Sequence, residues 1–251
     1  MKNKAYLLFL LLPALFFFSH CQEENPYRRD RSRVRSPYEN RLQPNAYNVG
    51  FLIMDGVYNT ELVAPWDIFH HTRFRDGIKP MNVFTIAKTL EPVFTFEGIE
   101  LQPDYSYRDE ERPRIDILVI PSADHHMDDD MEDREMILFV REVAAEAQYL
   151  TSHCDGAFIL AKAGQLVNKK ATTFPTDIDS MRIMFPNTTV LKGVDVVQDG
   201  KVITSTGGVR SYDAALYLCE LLYDSRVTRE IAKGLVIDWN LNRVKYHKEG
   251  K

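Results

Sequence analysis

Ser152-His153-Cys154-Asp155-Gly156 sets a thiol at the corner between a strand-like run, Gln148 to Ser152, and a helix-like run, Ala157 to Ala163. A strand-to-helix corner of this type, a nucleophile elbow, pushes one side chain out of the chain path. The positions two before and two after it must then be small, as Ser152 and Gly156 are. The spacing predicts that Cys154 is presented to a pocket rather than packed. A helix N-terminus also offers unpaired N–H groups and positive potential, which favour the thiolate, the reactive form. The chemistry implied is covalent attack by sulfur on an electrophilic carbon. The competing reading is a buried cysteine acting as a small hydrophobe.

The elements that would position this corner follow from hydrophobic periodicity. Tyr47 to Met54 reads as a strand ending in the turn Asp55-Gly56, and Glu61 to Phe74 as a helix. Asn82 to Ala87 is a second strand, Val93 to Leu101 a small antiparallel excursion around Gly98, and Ile115 to Ile120 an apolar run suited to a parallel strand buried on both faces. A helix carrying Met136, Phe139, Val140 and Val143 follows, and Asp128, Asp129 and Asp130 are read as its N-terminal charges. Beyond the elbow, Thr173 to Phe185 reads as a helix, and Thr188 to Val197 and Lys201 to Ser205 as a hairpin about Asp199-Gly200. Val209 to Tyr223 and Arg226 to Trp239 are predicted helices. The alternation predicts an α/β fold, a mainly parallel sheet covered by helices on both faces. Ligands on such sheets sit beyond the carboxyl ends of the strands, where Cys154 would lie.

Composition narrows the partners. A net charge of -5 lacks the basic face that phosphate backbones require, which argues against nucleic acid as the main partner; a small molecule or a protein is expected instead. Residues 1–21 read as a lipoprotein-type signal: Lys2 and Lys4, an apolar run from Ala5 to Phe18 too short to span a bilayer comfortably, then Cys21 at the lipidation position. The expectation is export and a lipid anchor in a bacterial cell envelope, with membrane contact through Cys21; simple cleavage is the alternative. Residues 22–46 hold six arginines among polar residues and read as a charged tether reaching about 80 Å when extended. One domain, 47–251, remains. Of the three cysteines, Cys219 falls in the apolar pattern of a late helix and is assigned to the core, so no disulfide framework is indicated.

Four ordered stretches resemble the ThiJ/PfpI superfamily of class I glutamine amidotransferase-like proteins: Phe51 to Asp67, Ile117 to Pro121, Cys154 to Pro175, and Thr204 to Leu216. Within it the pattern is most similar to the branch of isocyanide hydratase-like enzymes and sensor domains of AraC-type regulators. The resemblance implies a flavodoxin-like three-layer sandwich, a homodimer and no cofactor. It implies that Glu61 contacts the cysteine sulfur; a carboxyl there, partly desolvated, would stay protonated and deliver a proton. Read from spacing alone, Glu61 is a helix N-terminal charge. The resemblance further implies that the amides of Ala123 and Asp155 hold the developing anion, with Ser122, Phe174, Thr206 and Gly207 around the pocket.

Three departures from the family pattern matter. Ser122-Ala123 replaces a glycine pair, Asp155 stands where peptidase-like members carry histidine, and Phe174 stands where many relatives have histidine. Peptidase activity is thereby disfavoured. His125 and His126 could line the pocket, lie on the surface or, with Asp124 and Asp128, suggest a metal. No third ligand has convincing spacing, so no metal is expected. Two readings stay open: a cysteine-dependent hydratase, lyase or hydrolase acting on an isocyanide-like or reactive carbonyl compound, and a non-catalytic ligand or redox sensor of the same fold.

Overall fold

Side chains of the central strands alternate between two separate cores. Phe51, Ile117 and Val119 point into one, and Leu52, Leu118 and Ile120 into the other. A period of two on strands buried on both faces gives this result, because successive Cβ atoms leave opposite sides of the pleat.

The computed structural model describes residues 42–249. Its elements run β1 (Tyr47–Leu52), α1 (Asn59–His70), β2 (Met81–Ala87), β3 (Val93–Phe94), β4 (Glu100–Leu101), β5 (Tyr105–Ser106) and β6 (Ile117–Ile120). Then come α2 (Asp129–Glu132), α3 (Arg134–Glu146), β7 (Tyr149–His153), α4 (Gly156–Lys162), β8 (Lys170–Ala171), α5 (Ile178–Met184) and β9 (Thr189–Val190). The chain closes with β10 (Val196–Asp199), β11 (Val202–Ser205), α6 (Arg210–Leu222), α7 (Ser225–Gly234) and β12 (Tyr246–Glu249). Eight strands form one sheet in the order β12-β10-β11-β7-β6-β1-β2-β5. Neighbours from β11 through β5 pair in parallel, while β10 is antiparallel to β11 and carries β12 parallel to itself. One face packs against α3 and α4 through Met136, Val140, Phe158 and Leu160, and the other against α1, α6 and α7 through Leu62, Phe69, Leu216 and Ile231. This is the predicted sheet with helices on both faces.

Several boundaries differ from the sequence reading. Helix α5 starts at Ile178 rather than Thr173, because Thr172 and Thr173 spend their polar groups across the chain: the Thr172 amide donates to Thr204 Oγ1 (2.8 Å) and the Thr173 hydroxyl faces the elbow. The run Thr188 to Val197 is not one strand: β9 pairs with β8 in a separate two-stranded sheet before β10 joins the main one. Helix α7 stops at Gly234, well short of Trp239. Strands β5, β8 and β12 have no periodic signal, being two residues long or, for Tyr246-His-Lys-Glu, polar throughout. Residues 42–46, read from sequence as the end of the tether, join the domain: Leu42 packs on the core and the Gln43 amide donates to Asn82 Oδ1 (2.8 Å). The predicted signal, Cys21 and most of the tether lie outside the described residues. Among those described, no helix is long and apolar enough to cross a membrane.

Candidate active site

Cys154 sits between β7 and α4 with φ at +53°, a left-handed conformation that costs a non-glycine residue about 1–2 kcal/mol. The corner holds because its backbone is anchored on both sides. The Cys154 amide donates to the Ser205 carbonyl at the end of β11 (2.9 Å), and its own carbonyl faces the Thr173 hydroxyl (3.1 Å). Gly156 is required for a related reason: a Cβ there would overlap the Ile120 carbonyl oxygen of the adjoining strand. The small residue two positions after the thiol is thus dictated by how tightly β6 runs past the turn.

Glu61, in the first turn of α1, reaches the same place from another layer. It is 5% exposed, and its two oxygens accept from two backbone amides, Ser122 N to Oε2 and Gly208 N to Oε1, both at 3.0 Å. The carboxyl also hydrogen-bonds the Cys154 thiol. Burial pushes its pKa up, against the opposing pull of the amides and the thiol. Gly207 makes this approach possible. With φ at +80°, it passes so close that a Cβ would come within 2.5 Å of Glu61 Oε1 and overlap Cys154 Cβ.

The thiol differs from the sequence expectation in two respects. Cys154 is only 7% exposed, so it is held in a closed polar nest rather than displayed openly. Its pKa is raised, first by burial and then by the Glu61 and Asp155 carboxyls; the Ser122 hydroxyl and the Asp155 amide pull the other way and do not prevail. Helix α4 has seven residues. The potential at its first turn is outweighed by desolvation, and the protonated form of the sulfur is favoured.

The loop after β6 also departs from expectation. The Ala123 amide, expected to hold an anion, donates to His126 Nδ1 (3.2 Å). His126 neither lines the pocket nor lies on the surface: it is fully buried, and burial lowers its pKa to about 3. Its Nε2 stands 3.8 Å from Asp130 Oδ2, and burial raises Asp130 to about 6. With Nδ1 accepting, the ring is neutral and carries its hydrogen on Nε2. Ser122 is buried, its hydroxyl facing the sulfur. His125 is exposed and bonded to Asp128 (3.1 Å), which raises its pKa. Ligand atoms of His125, Asp128 and Asp129 fall within 4.8 Å of one another, but all three residues are exposed and no fourth ligand joins them among the described residues.

Two placements complete the pocket. Asp155 is half-buried and raised to about 6, by burial first and then by Asp177 and Glu61. Phe174 is exposed, with its amide turned to the Asp155 carboxyl, and the Thr206 amide donates to the Asp195 carbonyl (3.1 Å).

Residues 47–221 match the DJ-1/PfpI family. The chain belongs to that family. It is 31% identical over 178 residues to isonitrile hydratase of Pseudomonas putida, across 70% of this chain and 72% of that protein. To protein dj-1beta of Drosophila melanogaster it is 26% identical over 151 residues, 60% of this chain and 79% of the other. Among solved structures, a ThiJ/PfpI family protein from Pseudomonas syringae superposes with a TM-score of 0.68 at 25% identity, covering 78% of this chain and 76% of its own. An AraC family transcriptional regulator from Pseudomonas putida shares the fold, with a TM-score of 0.65 at 17% identity over 75% and 99% of the two chains.

On this DJ-1/PfpI scaffold, residues outside the sequence reading also enter the site. Tyr58, just before α1, feels the charges of Cys154, Glu61, Asp155 and Asp124, and stacks on Phe96 with ring centroids 4.7 Å apart. Thr173 donates to Asp155 Oδ1 (2.8 Å), and the Gly208 amide holds Glu61. Thr173 had a local signal, the Thr-Thr pair in the family stretch; Tyr58 and Gly208 had none. His153, beside Cys154 in sequence, is fully buried, bonded to Ser205 Oγ (2.9 Å) and lowered to about 3.

Proposed function

We propose that Cys154 is a nucleophile toward a small electrophile and that Glu61 is its proton donor, with isonitriles the first substrate class to examine. The observation that carries this reading is the buried Glu61 carboxyl, held by two amides against the sulfur and pushed toward its protonated form. Similarity to isonitrile hydratase supports the substrate class. In such a reaction sulfur adds to the terminal carbon of R–N≡C while the Glu61 proton goes to that carbon and the thiol proton passes to the Glu61 carboxylate so formed, giving a thioimidate and a protonated Glu61. Water then adds to the carbon and the C–S bond breaks. An N-substituted formamide leaves, with one proton of the water on the product nitrogen and the other on the departing sulfur. The Asp155 amide and Ser122 hydroxyl, both turned to the sulfur, support charge there.

Purified protein offered isonitriles, methylglyoxal and simple amides tests this. Turnover lost in Cys154→Ser, and reduced about 10²–10⁴-fold in Glu61→Gln, is the expected result. One observation favours a second reading, a non-catalytic ligand sensor: the thiol is closed in and its pKa raised, which slows nucleophilic attack and oxidation alike. Absence of turnover, with saturable binding of one of these compounds that survives in Cys154→Ser, would select it, and a peroxide-driven mass gain confined to Cys154 would select a redox sensor instead.

For the whole chain we propose export and anchoring through a lipid on Cys21, supported by the charged start and apolar run of residues 1–21. Fatty-acid labelling that disappears in Cys21→Ala is the expected outcome. Membership of the DJ-1/PfpI family supports a homodimer, to be checked by size exclusion with light scattering.

A further inference from the structure

We propose that His126 and His153 are positioning residues that together hold the Glu61 carboxyl, each fastening one of the two loops whose amides grip it. The proposal rests on the reading of Glu61 as the acid of the site. It gives a task to two buried rings that the reaction itself leaves unused.

Glu61 is held one oxygen at a time. Oε2 accepts from the Ser122 amide in the β6 loop and Oε1 from the Gly208 amide in the β11 loop, both at 3.0 Å. Ser122 and Gly208 lie outside regular helix and strand, so side chains must fix the loops that carry them. In the β6 loop that side chain is His126. The Ala123 amide donates to its ring Nδ1 (3.2 Å), and its own backbone amide donates to the Ala123 carbonyl (3.2 Å), closing on Ala123 from both sides. The peptide unit joining Ser122 to Ala123 is thereby pinned at both ends, its N–H by His126 and its carbonyl by the Tyr58 amide (3.0 Å). In the β11 loop the side chain is His153. Ser205 Oγ stands between His153 Nδ1 (2.9 Å) and the Gly207 amide (3.4 Å), and the Ser205 carbonyl accepts from the Cys154 amide (2.9 Å). An amide only donates, so the hydroxyl oxygen accepts from Gly207 and its hydrogen turns to His153. Gly208 follows directly.

The same device therefore serves both oxygens of Glu61: a fully buried imidazole with a lone pair on Nδ1. A carboxylate could accept at either place, but a buried negative charge there would raise the proton affinity of Glu61 and Cys154 alike. A neutral ring supplies the acceptor without the charge. Burial keeps both rings neutral, with pKa values lowered to about 3. Amide donors favour the ionised carboxyl, so Glu61 reports on its own grip, and loosening either amide raises its pKa.

Carbon-13 NMR titration of the Glu61 carboxyl, assigned by its loss in Glu61→Gln, reads the grip without any substrate. His126→Leu and His153→Leu are each expected to raise the midpoint by about 0.5–1 pH unit, a three- to tenfold gain in proton affinity. His126→Asn, which keeps an oxygen acceptor near the Nδ1 position, is expected to leave the midpoint in place. Ser205→Ala removes only the hydroxyl between His153 and Gly207 and is expected to act as His153→Leu does, so it carries the test where a leucine variant does not fold. An unmoved midpoint in folded His126→Leu or in Ser205→Ala overturns the proposal. So does a shift in His126→Asn as large as in His126→Leu, because ring volume and not the acceptor would then matter. On a substrate that the wild type turns over, kcat in His126→Leu is expected to fall about tenfold with KM within about threefold. A moved midpoint with no turnover of any substrate would remove the enzyme reading and leave the positioning role standing. Turnover that needs Cys154 and Glu61, with the midpoint unmoved in every variant, would do the reverse.

Discussion

Cys154 and Cys219 are both free, both buried and both shifted upward in pKa by burial, yet they occupy opposite kinds of environment. Cys219 lies in the middle of α6, in a core shared with Leu216, Leu218 and Ile231, and contributes only volume. Cys154 has left-handed backbone, a glycine with no room for a Cβ against it, and a buried acid bonded to its sulfur. Burial therefore does not separate a thiol packed in a core from one set among converging polar groups. The separating feature is the convergence of polar groups from distant chain segments onto one of the two, at a cost in strain and desolvation that packing alone would never require.

The sharpest way to break this contrast is to remove each sulfur in turn. Cys154→Ser should lower turnover at least about 10³-fold, while Cys219→Ala should leave kcat within about twofold and cost about 1 kcal/mol of stability. Equal kinetic effects would dissolve the distinction. A second comparison uses two glycines of positive φ. Gly207→Ala should destabilise by about 2–4 kcal/mol in urea and displace Glu61, whereas Gly98→Ala, with nothing within 4 Å of its added Cβ, should cost about 1 kcal/mol. His126→Phe leaves the Ala123 amide without its acceptor, for an expected loss of about 1–3 kcal/mol by the same measurement.

The smallest effect is the most diagnostic of buried acids. Asp130 is raised from 3.8 to about 6, so the folded state holds its proton more tightly than the unfolded state does. The stability this contributes is full below about pH 4 and is lost as pH rises through about 6. Asp130→Asn should therefore gain about 1 kcal/mol over wild type at pH 8, after discounting for partial exposure, and nothing at pH 4. A variant less stable than wild type at pH 8 would show that ionised Asp130 is supported by its surroundings.

Legibility followed the range of each interaction. The elbow could be read because its rule is local: a corner, a thiol, and small residues at fixed distances on either side. The alternation of strands and helices was equally plain, since long apolar runs at periods of two and 3.6 carry their own signal. Short strands such as β5 and β8 were invisible, because two residues show no period. The anion-holding role expected of Ala123 missed its commitment to His126, for no pattern tells which way a loop histidine turns. The thiolate expectation gave way for a related reason: a helix N-terminus can be read from sequence, while the burial that desolvates the sulfur cannot.

The order of elements, the two-faced burial of the sheet and the identity of the corner residue were settled by sequence alone, because backbone sterics and hydrophobic periodicity act between near neighbours. Only the tertiary structure decided the state of the site. It brought α1, the β6 loop, the elbow and the β11 loop together around one sulfur, and proton affinity in such a place depends on the dielectric and charge of the whole assembly rather than on any one segment.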